Sequence, residues 1–226
     1  MVITVDGPGG AGKSTVSRNL AARLNFAFLD TGAMYRAVAL CALGEDAALA
    51  DLDPERRKTW LEGIKLELLP GGVALDGRPV EAFIRNGAVA SAASHISALP
   101  EVREYLLGRQ RAAGRRGNLV AEGRDMGTVV FPEAELKFFL TASEEERARR
   151  RFKDMALRDP QLTLAEVRRE MAGRDARDLS RTLAPLRPAS EAIIIDSTGM
   201  KEEEVVALML ARAQKIAGVR LTGFSL

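Results

Sequence analysis

Apolar positions along the chain fall into short aliphatic runs separated by longer segments of helical period, the alternation of a parallel α/β sheet. Residues 2–5 form the first run and Asp6-Gly7 stops it. A helix opens near Lys13 and continues to Leu24, where Asn25 can close it in the left-handed conformation. Residues 26–29 make a second buried strand ending at Asp30, and Thr31-Gly32 leads into a helical stretch closed by Gly44. The pattern then changes. Asp53-Pro54 is an N-cap followed by proline at the first helical position. Residues 64–68 alternate with period two, and Pro70-Gly71-Gly72 and Asp76-Gly77 supply turns on either side of residues 73–75. This is a small antiparallel meander inserted on a parallel core. Helices are expected over residues 81–97 and 100–113, and core strands over 118–121 and 136–140. Ser143 with Glu146, and Thr163 with Glu166, have capping-box spacing and predict two polar helices. Residues 192–196 give a last strand and 201–217 a closing helix.

Composition narrows the class only modestly. The 226 residues suffice for one sizeable core with an insert, and 46% apolar with 28% charged residues is ordinary for a globular chain. A formal charge of +2 lacks the signature of a general nucleic-acid binder, although arginine is concentrated between Arg103 and Arg187. Acids nearly balance that region. Cys41 is the single cysteine, so no internal disulfide forms, and its apolar surroundings suit a packed hydrophobe. No apolar run reaches transmembrane length and the N-terminus enters a strand without a signal-peptide pattern, so a cytoplasmic location and no membrane partner are expected.

The chemistry begins at residues 7–14, Gly-Pro-Gly-Gly-Ala-Gly-Lys-Ser. Gly7, Gly9 and Gly12 also satisfy the dinucleotide motif, with Asp30 about 20 residues further on at a strand end. Lys13 and Ser14 decide between the two. In a phosphate-binding loop the backbone N–H groups wrap the phosphates, the lysine reaches the β/γ oxygens, and the hydroxyl holds Mg²⁺. A dinucleotide motif has no use for that lysine. The ATP-binding set is therefore Gly7, Pro8, Gly9, Gly10, Ala11, Gly12, Lys13, Ser14 and Thr15, with Ser14 the Mg²⁺ ligand. No guanine-reading Asn-Lys-x-Asp is present, and the core strand at 136–140 ends in Thr141 where a motor ATPase would carry a carboxylate. Small-molecule kinases remain.

An acceptor site must then be built nearby. Residues 30–36 start a helix at a strand's carboxyl end, where hydroxyl, free N–H groups and Arg36 suit an anion. Residues 123–127, Gly-Arg-Asp-Met-Gly, follow another strand at the same sheet edge. Arg174, Asp178 and Arg181 share one helical face. Each segment also has a plain structural reading: a helix start, a loop, a surface salt-bridge ladder. Glu145–Arg149 and Glu146–Arg150 are well-oriented i,i+4 pairs, so some arginines near 147–151 only solvate a helix.

Taken in order, Gly-Pro-Gly-Gly-Ala-Gly-Lys-Ser, Leu-Asp-Thr-Gly-Ala-Met-Tyr-Arg, Glu-Gly-Arg-Asp-Met-Gly-Thr-Val-Val-Phe-Pro and Arg-Asp-Ala-Arg-Asp…Arg…Ala-Pro-Leu resemble bacterial cytidylate kinases over nearly the whole chain. Ser14 stands where some members carry Gly, and Glu122 where some carry Asp. The resemblance implies an α/β fold: a P-loop NTPase-type parallel sheet flanked by helices, with a small antiparallel-sheet monophosphate-binding insert and a helical lid. It divides the chain into a core (1–40, 100–142 and 182–226), an insert (41–99) and a lid (143–181). It further implies γ-phosphoryl transfer from ATP to CMP or dCMP, Mg²⁺-dependent and without a covalent intermediate, by a monomer that binds no nucleic acid. Thr31, Arg36, Arg124 and Arg181 would bind the acceptor phosphate. Ser94, Arg103 and Asp125 would read cytosine, and Arg174 with Asp178 the sugar. Lys13, Arg124 and Arg181 would be catalytic, aided by lid residues Arg147, Arg150 and Arg151. His95, the only histidine, is read as a helix-surface residue, because an anionic acceptor oxygen needs no strong base. Two alternatives stay open: a kinase for UMP, AMP or a small alcohol such as shikimate, and a nucleic-acid-binding module using the arginine-rich region.

Overall fold

The structure, a computed structural model, describes residues 1–44, 49–156 and 159–217. Residues 218–226, assigned above to the core, lie outside the described residues. A five-stranded parallel sheet forms the centre, in the order β2 (Ala27–Asp30), β6 (Leu119–Glu122), β1 (Val2–Asp6), β7 (Leu136–Thr141), β8 (Ile193–Asp196). The inner strands are largely apolar because both faces are covered, as parallel sheets require, with Thr4 and Lys137 as buried polar residues within β1 and β7. Alternation sends Val120 toward one face, with Ile3, Val5 and Phe138, where α1 (Lys13–Leu24) and α8 (Glu202–Ala217) supply Val16, Leu20, Val205 and Met209. Leu119 and Ala121 point the other way, toward Met34 and Val38 of α2 (Thr31–Leu43) and Val102 and Leu106 of α5 (Pro100–Gly114).

The expected helix ends are set locally. Asn25 closes α1 at φ +55, its N–H bonded to the turn before it. Asp30 caps α2 by accepting from the Ala33 N–H at 2.8 Å, and Asp53 caps α3 (Pro54–Glu62) in the same way.

The meander is β3 (Leu66–Leu69), β4 (Gly72–Leu75) and β5 (Arg78–Pro79), all antiparallel. It has no separate core: Leu66, Val73, Val80 and Ile84 join the same apolar cluster as Met34 and Leu106. Its last strand, after the turn at Asp76-Gly77, is only two residues long.

Three further differences from expectation have local causes. The helix expected over 81–97 starts only at Gly87, as α4 (Gly87–Ile96), because the Asn86 side chain accepts from the Val89 N–H and caps it there. Residues 123–127 are not an open loop throughout: Met126–Val130 wind into a π-helical turn, a form enriched at functional positions. At α6 (Glu144–Ala156) the capping box is half made. Ser143 Oγ accepts from the Glu146 N–H, but the Ser143 N–H donates to Thr198 instead of Glu146. At α7 (Leu164–Ser180) the Thr163–Glu166 box is complete.

Gly7 sits where β1 leaves the sheet and passes β7. A Cβ there would lie 1.9 Å from the Leu140 carbonyl oxygen, at a φ of +146 that L side chains rarely adopt. Gly7→Ala is therefore expected to destabilise the fold by at least about 3 kcal/mol, read as a lowered urea midpoint, because a backbone atom cannot step aside.

Candidate active site

The turn after β1 is built on positive-φ glycines, Gly10 at +74 and Gly12 at +89, and delivers α1 with no side-chain cap. The first N–H groups of α1 are thus left for an anion. Gly9 through Thr15 line a cavity of about 480 Å³. Gly7 and Pro8 do not line it; Pro8 contributes its carbonyl, which accepts from Lys13 Nζ at 2.7 Å. Lys13 is buried and lies 4.0 Å from Glu122 Oε1 at the end of β6. Burial, then the neighbouring Arg124, pushes the Lys13 amine down, while burial and Asp30 push the Glu122 carboxyl up. Facing the glycine loop across the cavity are Arg36, Arg85, Arg124, Arg150, Arg151 and Arg174.

A second, smaller pocket of about 50 Å³ shares Gly32, Arg36, Arg124 and Arg174 with the first. Thr31, Ser94, Arg103, Asp125, Asp178 and Arg181 complete the set, so all nine residues expected around the acceptor meet here. They come from α2, α4, α5, the segment after β6, and α7, except that Arg181, expected on the helical face of Arg174 and Asp178, lies just past the end of α7 in an extended conformation. Their charges are cross-paired. Arg103 pairs with Asp125, Arg124 Nε with Asp178 at 3.0 Å, and Arg181 with Asp178 at 3.3 Å. Burial alone would raise the Asp178 carboxyl, but Arg124, Arg174 and Arg181 outweigh it and hold the group below its usual range. For Asp125 burial wins over Arg103 and Arg181, and the carboxyl is raised. Burial and Arg124 lower Arg174 to about 10, and its buried Nε has no hydrogen-bond partner among the described residues.

Other expectations are placed differently. Of the three lid arginines, Arg150 and Arg151 line the large cavity and Arg147 does not. Arg147 turns inward, donating to the carbonyls of Ala142 and Gly9 and to Asp175 at 2.5 Å, so it bolts α6 to the glycine loop and α7. Arg150 is anchored by Ser197 and Glu146. Ser94 Oγ here accepts from Arg177 Nε at 3.2 Å, a partner the motifs did not single out. His95 is exposed, bonds its own helix at Ser91, and lines neither pocket. Glu122, Arg85, Tyr35 and Ser97 were also missed as lining residues. The only sequence signal for Glu122 is a carboxylate at a strand end; that β6 runs beside the strand leading into the glycine loop is decided by the sheet order.

A glycine loop opening a helix, a buried lysine, and a second pocket sharing arginines with the first define a P-loop phosphotransferase. The profile of the Cytidylate kinase family matches residues 3–215. A cytidylate kinase of Carboxydothermus hydrogenoformans is 49% identical over 93% of this chain and 96% of its own length. One from Solibacter usitatus is 42% identical over 98% of this chain and 94% of its own. The chain belongs to the cytidylate kinase family. At the level of fold alone, a crystal structure of an uncharacterized protein from Eubacterium ventriosum superposes with a TM-score of 0.54 at 11% identity, over 95% of this chain and 98% of that one.

Asp178 gives a check on the electrostatics. Its folded pKa is depressed, so the stability it contributes is present above the unfolded value and lost as pH falls through the folded one. Asp178→Asn is expected to cost about 3 kcal/mol at pH 7, as breaking a buried pair does. The difference from wild type should shrink below about pH 4, in urea titrations at a series of pH values.

Proposed function

We propose that the chain transfers the γ-phosphoryl group of ATP directly to CMP or dCMP, as a cytoplasmic monomer. The observation that carries this reading is the sharing of Arg36, Arg124 and Arg174 between the glycine-loop cavity and the pocket containing Asp125. A group passing from one site to the other meets the same three guanidinium forks throughout. The N–H groups of α1 and Lys13 would hold the donor's β- and γ-phosphates, with Arg150 and Arg151 above them. Thr31, Arg36, Arg124 and Arg181 would hold the acceptor phosphate, and Arg174 with Asp178 the sugar. Positioning and charge neutralisation then supply most of the rate, and no base is required.

Base selection follows from Asp125 and Arg103. A carboxylate accepts from the exocyclic amine of cytosine and repels the carbonyl that uracil presents there, while Arg103 supplies donors for the ring acceptors. Ligand pockets typically hold about 300–1,000 Å³. At about 50 Å³, the acceptor pocket must open, and the Arg103–Asp125 pair is the contact a base would part.

The residues present also suit Mg²⁺. Ser14 lines the cavity, and Glu122 beside it has a buried Oε2 without a hydrogen-bond partner among the described residues. Ser14 and Glu122 would hold the ion, directly or through water. When bound, it would neutralise donor phosphate oxygens.

ADP release measured over CMP, dCMP, UMP, AMP and shikimate tests the acceptor, and CMP or dCMP should dominate. Lys13→Ala should lower kcat by at least about a hundredfold with the fold intact by circular dichroism; near-wild-type turnover in that variant would overturn the reading. Asp125→Ala should cut CMP turnover far more than UMP turnover and leave ATP affinity unchanged. Equal losses on both acceptors would remove Asp125 from base recognition. Oligonucleotide binding with a steep salt dependence and no need for ATP would instead favour the nucleic-acid module.

A further inference from the structure

Asp6 is a buried carboxylate to which nothing above gives a role. It ends β1, directly before the glycine loop, and both of its oxygens are committed. Oδ1 accepts from the Met126 N–H at 2.8 Å and Oδ2 from the Gly127 N–H at 2.8 Å. Those are the first two N–H groups of the π-helical turn at Met126–Val130, whose preceding residue is Asp125. A residue in that position ordinarily accepts from the second or third N–H with its own side chain, here that of Gly127 or Thr128, and Asp is among the best at doing so. Asp125 makes no capping bond here, and its carboxylate instead faces Arg103 in the acceptor pocket.

We infer that Asp6 is a positioning residue that caps the turn in place of Asp125, and so releases the Asp125 carboxylate to select the acceptor base. This rests on the proposed base-reading role of Asp125.

Two observations support the substitution of one carboxylate for the other. The approach is close enough to demand glycine at 127: a Cβ there would lie 2.9 Å from Thr4 Oγ1, 3.1 Å from Lys137 Cδ and 3.4 Å from Asp6 Oδ2. Burial also pushes the Asp6 carboxyl up to about 7 against the two N–H bonds, with Asp125 and Lys13 the charged groups facing it. The position thus carries a cost that a neutral side chain would avoid. The same residue leads into the donor loop through Gly7, so one side chain fixes the spacing between donor loop and base-reading carboxylate.

The test is a double-mutant cycle read in kcat/KM for CMP against UMP, with ATP affinity measured separately by a fluorescent ATP analogue. Asp6→Asn presents an N–H where an acceptor is needed. Asp125 should then turn back to cap its own turn, the preference for CMP over UMP should fall by at least about tenfold, and ATP affinity should hold. In an Asp125→Ala background the same change should add little to the loss of preference. A folded Asp6→Asn variant with full CMP preference would overturn the inference, as would additive losses in the double variant. Should Asp6→Asn fail to fold, Gly127→Ala crowds Thr4 Oγ1 and Lys137 Cδ, shifts the Gly127 N–H off Asp6, and should show the same loss; a folded Gly127→Ala variant with wild-type preference is equally decisive against it. A wild-type enzyme without preference between CMP and UMP would instead defeat the base-reading assignment itself.

Discussion

The structure turns on the crowding of cations at one sheet edge. Lys13, Arg36, Arg124, Arg174 and Arg181 are gathered around two connected pockets, and Asp30, Glu122, Asp125 and Asp178 are the acids set among them. Burial first, and then the neighbouring Arg124, lowers both Lys13 and Arg174. Anionic phosphates relieve the repulsion from Arg124. The site is thus preorganised for a ligand of opposite charge, and its strain in the absence of that charge is a source of affinity for the ligand that supplies it.

Much of the remaining architecture holds this cluster in place. Arg147 spends its guanidinium on the Gly9 and Ala142 carbonyls and on Asp175, joining α6 to the glycine loop and to α7. Arg177 and Arg181 reach from α7 and its end to Ser94 and Ser97 around the end of α4. The meander shares its apolar core with α2 and α5, so motion of the insert is coupled to the helices that carry Arg36 and Arg103.

The division of labour among the arginines shows how sequence reading succeeds and where it fails. The spacing of Arg174, Asp178 and Arg181 predicts one helical face; all three meet in the pocket, although Arg181 lies just past the end of α7. Arg150 and Arg151 lie three and four residues after Arg147, on one side of α6, yet the side chains take different courses. Arg147 faces the packed interface, and Arg150 and Arg151 face the cavity. Helical period limits the choice without deciding it, because which face is inward depends on where α7 and the glycine loop lie.

What the sequence determined by itself were features governed by local physics. Asn25, Asp30 and Asp53 end or start helices because their side chains and conformations satisfy neighbouring backbone groups, and the spacing of Lys13 and Ser14 identifies the phosphate loop. The order of the parallel strands, the burial of Glu122 against Lys13, and the Ser94–Arg177 contact were decided only in three dimensions. So was the capping of the turn after Asp125 by Asp6, across 120 and 121 residues of chain. Local bonds are legible because their partners are a few residues apart. A buried carboxylate finds its donors wherever the sheet brings them, and no spacing in the sequence records that.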